Sequence, residues 1–213
     1  MKKLFLLVCM AALLFSCHKE EPKPSDPTQK DDYPSLKIGN YWVYQCYRVD
    51  TLSSEELLNR TDSVIVKCDT TIRNNKYYVL EKFRGNSSHS YFLRDSSGYL
   101  VSEGGVICFS ATNFTDILFE DEFIENGTLY YTRTFKMEKV DNQVTVPAGK
   151  YDKVLNYKGT VVEYPNSSNS KIQEMNTLYA NNVGKILYEE RWLGGNFWHE
   201  YRLLRYHIQQ VIY

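Results

Sequence analysis

The chain has no apolar run long enough to cross a bilayer as a helix. Its longest run, Leu4 to Phe15, falls short of the roughly 20 residues that a hydrocarbon core requires. It also lacks a basic excess, since 25 Lys and Arg stand against 26 Asp and Glu. No basic stripe argues for nucleic acid. Helix-period apolar patterning is almost missing, which removes helical bundles and parallel α/β folds. Histidine is scarce, with 4 in the chain. No Gly-x-Ser-x-Gly, His-Glu-x-x-His, phosphate-loop or dinucleotide fingerprint occurs, so the classes those motifs announce are not indicated. The 5 cysteines have no close spacing of the zinc-knuckle kind. Neither a metal nor another cofactor is expected.

The residue types that could build a catalytic site fail on geometry. Glu189 and Glu190 are neighbours on a strand and point to opposite faces, so they are not an acid/base pair. His199 and His207 share a face of one strand unless a bulge intervenes, which sets them roughly 26 Å apart, too far for one metal. Glu200 and Arg202 share a face and make a solvated charge pair. The reading is therefore non-catalytic, with a hydrolase kept as an alternative.

The N-terminus carries information of another kind. Lys2-Lys3, the apolar run and then Leu14-Phe15-Ser16-Cys17 form a basic start, an apolar core and a small residue before the cut, as in an export signal. Leu14-Phe15-Ser16-Cys17 resembles the lipobox of bacterial lipoprotein signals. The resemblance implies removal of residues 1–16 and acylation of Cys17, anchoring the chain to a membrane. Several acyl chains hold durably, because each buried methylene contributes about 0.8 kcal/mol. Loss of Lys2 and Lys3 leaves 23 basic against 26 acidic residues, a net charge of −3. Residues 17–35 read as a disordered tether, since four of the 6 prolines (Pro22, Pro24, Pro27, Pro34) fall there among polar residues. Lys19-Glu20-Glu21, just after the acylated cysteine, looks like the Lys-acidic-acidic signal that sends lipoproteins of one Gram-negative lineage to the cell surface. The resemblance implies an outer-membrane lipoprotein displayed outside, with a periplasm-facing orientation as the alternative.

Residues 36–213 read as one domain rich in strand formers, with 18 Tyr and 10 Phe. Gly39-Asn40, Arg73-Asn74-Asn75-Lys76, Ser96-Ser97-Gly98, Asn126-Gly127 and Gly194-Gly195-Asn196 are turn signals. Between them, alternating segments predict about ten strands at hairpin spacing. The fold class expected is mainly β: a single antiparallel curved sheet or open half-barrel with little helix, or alternatively a β-sandwich. Two short helical pieces are expected. One is a turn at Ser53 to Leu58, with Ser53 and Glu56 in capping-box spacing. The other spans Thr112 to Phe123, with a rim loop as its alternative. Alternation is expected to set aromatics on the inner face and charges outside, with Leu129, Tyr131, Phe135 and Met137 as one inner stripe. Phe114 to Phe119 then covers that face as a lid.

Ile38-Gly39-Asn40-Tyr41-Trp42-Val43-Tyr44, Val144-Thr145-Val146-Pro147-Ala148-Gly149-Lys150-Tyr151 and Tyr179-Ala180-Asn181-Asn182-Val183-Gly184-Lys185-Ile186 occur in that order. Together they resemble a group of uncharacterised secreted bacterial lipoproteins. Their folds are similar to the half-barrels of outer-membrane lipoprotein carriers and receptors. The resemblance implies the sheet more than the cargo, because no plugging helices are evident here.

Of the cysteines left after Cys9 and Cys17, Cys46 faces Cys68 if the first hairpin centres near Leu57, which allows one disulfide, with three free thiols as the alternative. Trp192, Phe197 and Trp198 flank the last hairpin turn, with Tyr188 and Tyr201 near in sequence. These five are the candidate ligand contacts. The partner expected is an apolar ligand, a glycan or a protein. Asp50-Thr51-Leu52, Asp62-Ser63-Val64 and Asp69-Thr70-Thr71 resemble O-glycosylation sites of exported proteins in the same lineage, which makes Thr51, Ser63 and Thr70 candidates.

Overall fold

The structure, a computed structural model, describes Tyr33 and residues 36–164, 171–192 and 194–209. Cys17 and Lys19, Glu20 and Glu21 lie outside the described residues. Among those described there are strands and no helix. The first meander comprises β1 (Tyr41–Asp50), β2 (Glu55–Ile72), β3 (Asn75–Arg84), β4 (Ser87–Ser96), β5 (Tyr99–Ser102) and β6 (Ile107–Ser110). The second comprises β7 (Phe119–Glu125), β8 (Thr128–Val140), β9 (Val144–Val146), β10 (Gly149–Tyr151), β11 (Val154–Glu163), β12 (Lys171–Met175), β13 (Thr177–Ala180), β14 (Gly184–Arg191) and β15 (Phe197–His207). Three of the hairpins turn on residue pairs with positive φ: Arg73-Asn74, Ser97-Gly98 and Asn126-Gly127. This is the backbone that matches the right-handed twist of paired strands.

Antiparallel pairing runs in the order β6-β5-β4-β3-β2-β1-β15-β14-β13-β11-β8-β7, with β12 beside β11; β9 and β10 form a separate hairpin. The first and last strands pair along their whole length, from Tyr41 with His207 to Asp50 with Phe197. The sheet therefore curls into a nearly closed barrel with one seam, between β6 and β7, which follow each other in sequence. Side chains bridge the interior near that seam. Tyr157 of β11 donates to the carbonyl of Ile107 at 2.8 Å, and Phe109 packs on Tyr179 with ring centroids 4.5 Å apart. Every strand pairing lies within residues 41–207, inside the compact unit Asp31–Tyr213. Removing residues 1–30 therefore takes away no strand and no strand partner among the described residues.

The three sequence motifs meet at one end of the barrel. Trp42 donates to the carbonyl of Val183 at 2.6 Å. Its ring lies so near Gly184 (φ +93) that a Cβ there would stand 3.3 Å from it. Asn40 is fully buried; its side-chain oxygen accepts from the Gln209 amide, and its backbone carbonyl from Val66. Ala148, in the turn between β9 and β10, donates to the carbonyl of Leu203 on β15. These motif residues hold the terminal strands together, so their roles are structural.

Several expectations are corrected. Ser53 lies in a turn with φ 62 and residues 55–58 begin β2, so there is no helical turn. Residues 111–118 form a loop, the alternative to the helix expected there, and β7 begins at Phe119. In the loop, Asn113 accepts from the amides of Thr115 and Asp116. The segment meets the core through the partly buried Ala111 and Phe114 and the buried Leu118, while Ile117 is exposed. Cys46 and Cys68 are both free. The hairpin pairs Tyr44 with Asp62 and Tyr47 with Leu57, so it centres near residues 52–53, four residues short of the register a bridge needs. Cys46 falls in a bulge of β1, whereas Cys68 pairs with Val79 on β3.

Candidate functional site

The inner face is not purely apolar, contrary to the alternation expected of it. Arg60 and Asp62 on β2, Lys82 and Arg84 on β3, and Lys185 and Glu190 on β14 all point inward with Tyr44, Tyr188 and Tyr201. Asp62 is completely buried and accepts from Arg84 at 2.8 Å and from the Tyr188 hydroxyl at 3.1 Å. Lys82 lies 3.3 Å from Asp62 and 3.5 Å from Glu190. Arg84 bridges the same two carboxylates, at 2.7 and 2.5 Å. Two cations and two anions thus form a closed quartet. Burial works against ionising Glu190, but Arg84 and Lys82 outweigh it and hold the carboxyl below its usual range.

Tyr188 and Tyr201 stack face to face above this belt, with centroids 4.5 Å apart and planes at 4°. Burial raises both phenols well above their ordinary range, so they act as neutral donors. Below the pair, Arg60 donates to the Tyr201 hydroxyl, the Cys46 sulfur and His199 Nδ1. Burial raises the Cys46 thiol and, with Arg60, lowers His199, so all three acceptors are neutral. Arg60 Nε and Asp62 Oδ1 are buried without a partner.

Over the belt lies a cavity of about 360 Å³ lined by Trp42, Leu80, Leu93, Leu100, Tyr179 and, at its charged end, Lys82, Lys185, Tyr188 and Glu190. The exposed Glu103 marks where it reaches the surface. Lys185 enters because β14 bulges. Leu187 pairs with Leu178 but Lys185 pairs with Tyr179, so one extra residue turns Lys185 to the same side as Tyr188. Lys185 is half-buried, and its ammonium borders the rings of Tyr188 at 5.2 Å and Tyr179 at 5.8 Å. Burial, with the like charge of Lys82, brings its pKa down to about 8.

The five aromatics expected to act together do not. Tyr188 and Tyr201 are core residues of the belt. Trp198 turns to the outer face, its ring under Arg191 at 3.7 Å. Trp192 and Phe197 remain at the rim, 5.7 Å apart, and line a groove of about 250 Å³ that also includes Thr51 and Ile172. His199 points inward, but a bulge opposite Val43 and Tyr44 reverses the alternation, so His207 lies outside, stacked on Tyr41. Glu200 and Arg202 do pair on the outer face. They are 12% and 20% exposed and joined by Glu55, hence less solvated than expected. Arg133 points inward within the Leu129 to Met137 stripe, paired with Asp121 at 2.5 Å. Thr51 is exposed, whereas Ser63 and Thr70 are half-buried within β2. Among the described residues, no group of three or more His, Cys, Asp or Glu could hold a metal ion.

The chain matches no protein-family model and no curated protein sequence. Two crystal structures are similar to it. One is of a protein classed as a lipoprotein from Parabacteroides distasonis, 14% identical with a TM-score of 0.49. The other is of an exported protein with a YmcC-like fold from Bacteroides fragilis, 12% identical with a TM-score of 0.47. Each match covers 84% of this chain and 100% of the other.

Proposed function

We propose that this chain is a non-catalytic binding protein, held at the outer membrane through lipid on Cys17, that takes an apolar ligand into its barrel. The observation that carries the reading is the cavity of about 360 Å³ under Trp42, Leu80, Leu93 and Leu100. Ligand sites are concave and mostly apolar, with a few fixed polar groups at one end. The chain from Asp31 should bind one molecule of the small neutral fluorescent dye 2-naphthol, and Leu93→Trp, which fills the space, should abolish binding in a folded protein. Dye binding that Leu93→Trp leaves unchanged would remove the cavity from the account. The anchor is tested separately. Cys17→Ser should take the protein out of the outer-membrane fraction. Alanine at Lys19, Glu20 and Glu21 should leave it there but protected from protease added to whole cells. Unchanged fractionation or unchanged accessibility would overturn the respective role.

A second reading rests on the rim groove, where Trp192 is 47% exposed beside Phe197. Exposed aromatic faces stack on sugar rings, so this groove suits a glycan. Retention on a glycan array that survives Trp192→Ala would exclude it.

A further inference from the structure

The charges around the cavity specify the head group of its occupant, on the reading that the cavity is a ligand site. In the belt, Asp62 and Glu190 are each shared by Lys82 and Arg84, so those four charges balance. Lys185 stands outside that balance. Among the described residues no carboxylate lies within ion-pair distance of its ammonium, and its near neighbours are the rings of Tyr179 and Tyr188. Yet it lines the same cavity as Leu80, Leu93 and Leu100. A charge facing an apolar cavity without a counter-ion is costly, and a ligand that supplies one removes that cost.

We infer that the cavity takes a carboxylate-headed amphiphile, its chain against Leu80, Leu93 and Leu100 and its carboxylate on Lys185. Arg60, whose partners are also neutral, does not line the cavity, so one uncompensated cation faces it and matches a single negative charge. Glu190 and Glu103 border the same space and would repel a second one, which disfavours phosphate monoesters. At about 30 Å³ per water-sized group, the volume accommodates roughly a dozen non-hydrogen atoms, the size of a medium-chain fatty acid. Lys185 keeps most of its proton at neutral pH even with its pKa brought down to about 8. A charge-assisted hydrogen bond to a carboxylate is therefore available there.

The test is calorimetric titration of the chain from Asp31 with decanoate and with decanol, which share a chain and differ in the head. Decanoate should bind at least tenfold more tightly. Lys185→Met should remove that preference while leaving decanol binding in place, and Lys185→Arg should restore it. Equal affinity for the two in the unaltered protein, or a preference that persists in Lys185→Met, would overturn the assignment of the head group. Binding of neither would overturn the cavity reading itself, along with this one. Tighter binding of decyl phosphate than of decanoate would show that the site takes a dianion and would equally overturn the inference.

Discussion

Gly159 faces Phe135 across the inner side of β11 and β8, and a Cβ there would stand 2.5 Å from the ring. The ring lies flat over the glycine and stacks on Tyr157 at 4.8 Å. Gly159→Ala should therefore lower stability by about 1–3 kcal/mol, the usual cost of overpacking, read as a lower midpoint in thermal unfolding. Adding Phe135→Leu should recover part of the loss, because the two sites are in contact and couple. Lys185 gives a pH dependence of known sign. The unfolded chain keeps this proton up to 10.5 and the folded chain only to about 8, so unfolding takes up a proton between those values and stability rises with pH. Ligand-free protein should gain about 1.4 kcal/mol between roughly pH 7 and 9, and Lys185→Met should lack the gain. Above this window Cys108 and the buried tyrosines work the other way. Burial raises their pKa values, so the stability they contribute is lost as pH rises past their unfolded values of 9.0 and 10.0.

Strands β1 and β2 show why the sheet was legible in the sequence and its register was not. Two-residue alternation through Trp42, Tyr44 and Cys46, and through Asp62, Val64 and Val66, marks both as strands with one buried face. Register depends on the turn. The Asp50 carboxylate accepts from the amides of Leu52 and Ser54 at 2.9 Å, ending β1 early and starting β2 at Glu55. An aspartate closing on amides two and four residues ahead is a turn signal, but Ser53 and Glu56 imitate a helix cap at the same place. Bulges were hidden for a deeper reason. No residue type announces them, yet those in β14 and β15 decide that Lys185 faces inward and His207 outward. The charged belt was missed because partners such as Asp62 and Arg84, or Arg84 and Glu190, are 22 and 106 residues apart. The register makes a prediction for the thiols. In the chain from Asp31, Cys68 should react quickly in the native state. The fully buried Cys46 should react only on unfolding, and unfolded, unreduced protein should titrate all three thiols. One reactive thiol in that unfolded sample would restore the bridge.

At the scale of the whole molecule, two meanders meet along β1 and β15 and leave one seam between β6 and β7. The Tyr157 hydroxyl reaching Ile107 is a main tie near the seam. Tyr157→Phe should cost about 1 kcal/mol and should speed amide exchange in β6 more than in β1 or β15. Uniform exchange rates would mean that the seam does not open separately. The pairing of the terminal strands also has a consequence in time. Trp42 lies beside Tyr206, so the second strand to flank β1 is the last of the described strands in sequence. Contacts that distant in sequence form late, after the entropy of closing a long loop has been met. Until β15 pairs, β1 has one open edge and the barrel cannot close. The interior is complete, and a ligand site within it can exist, only once that last pairing has formed.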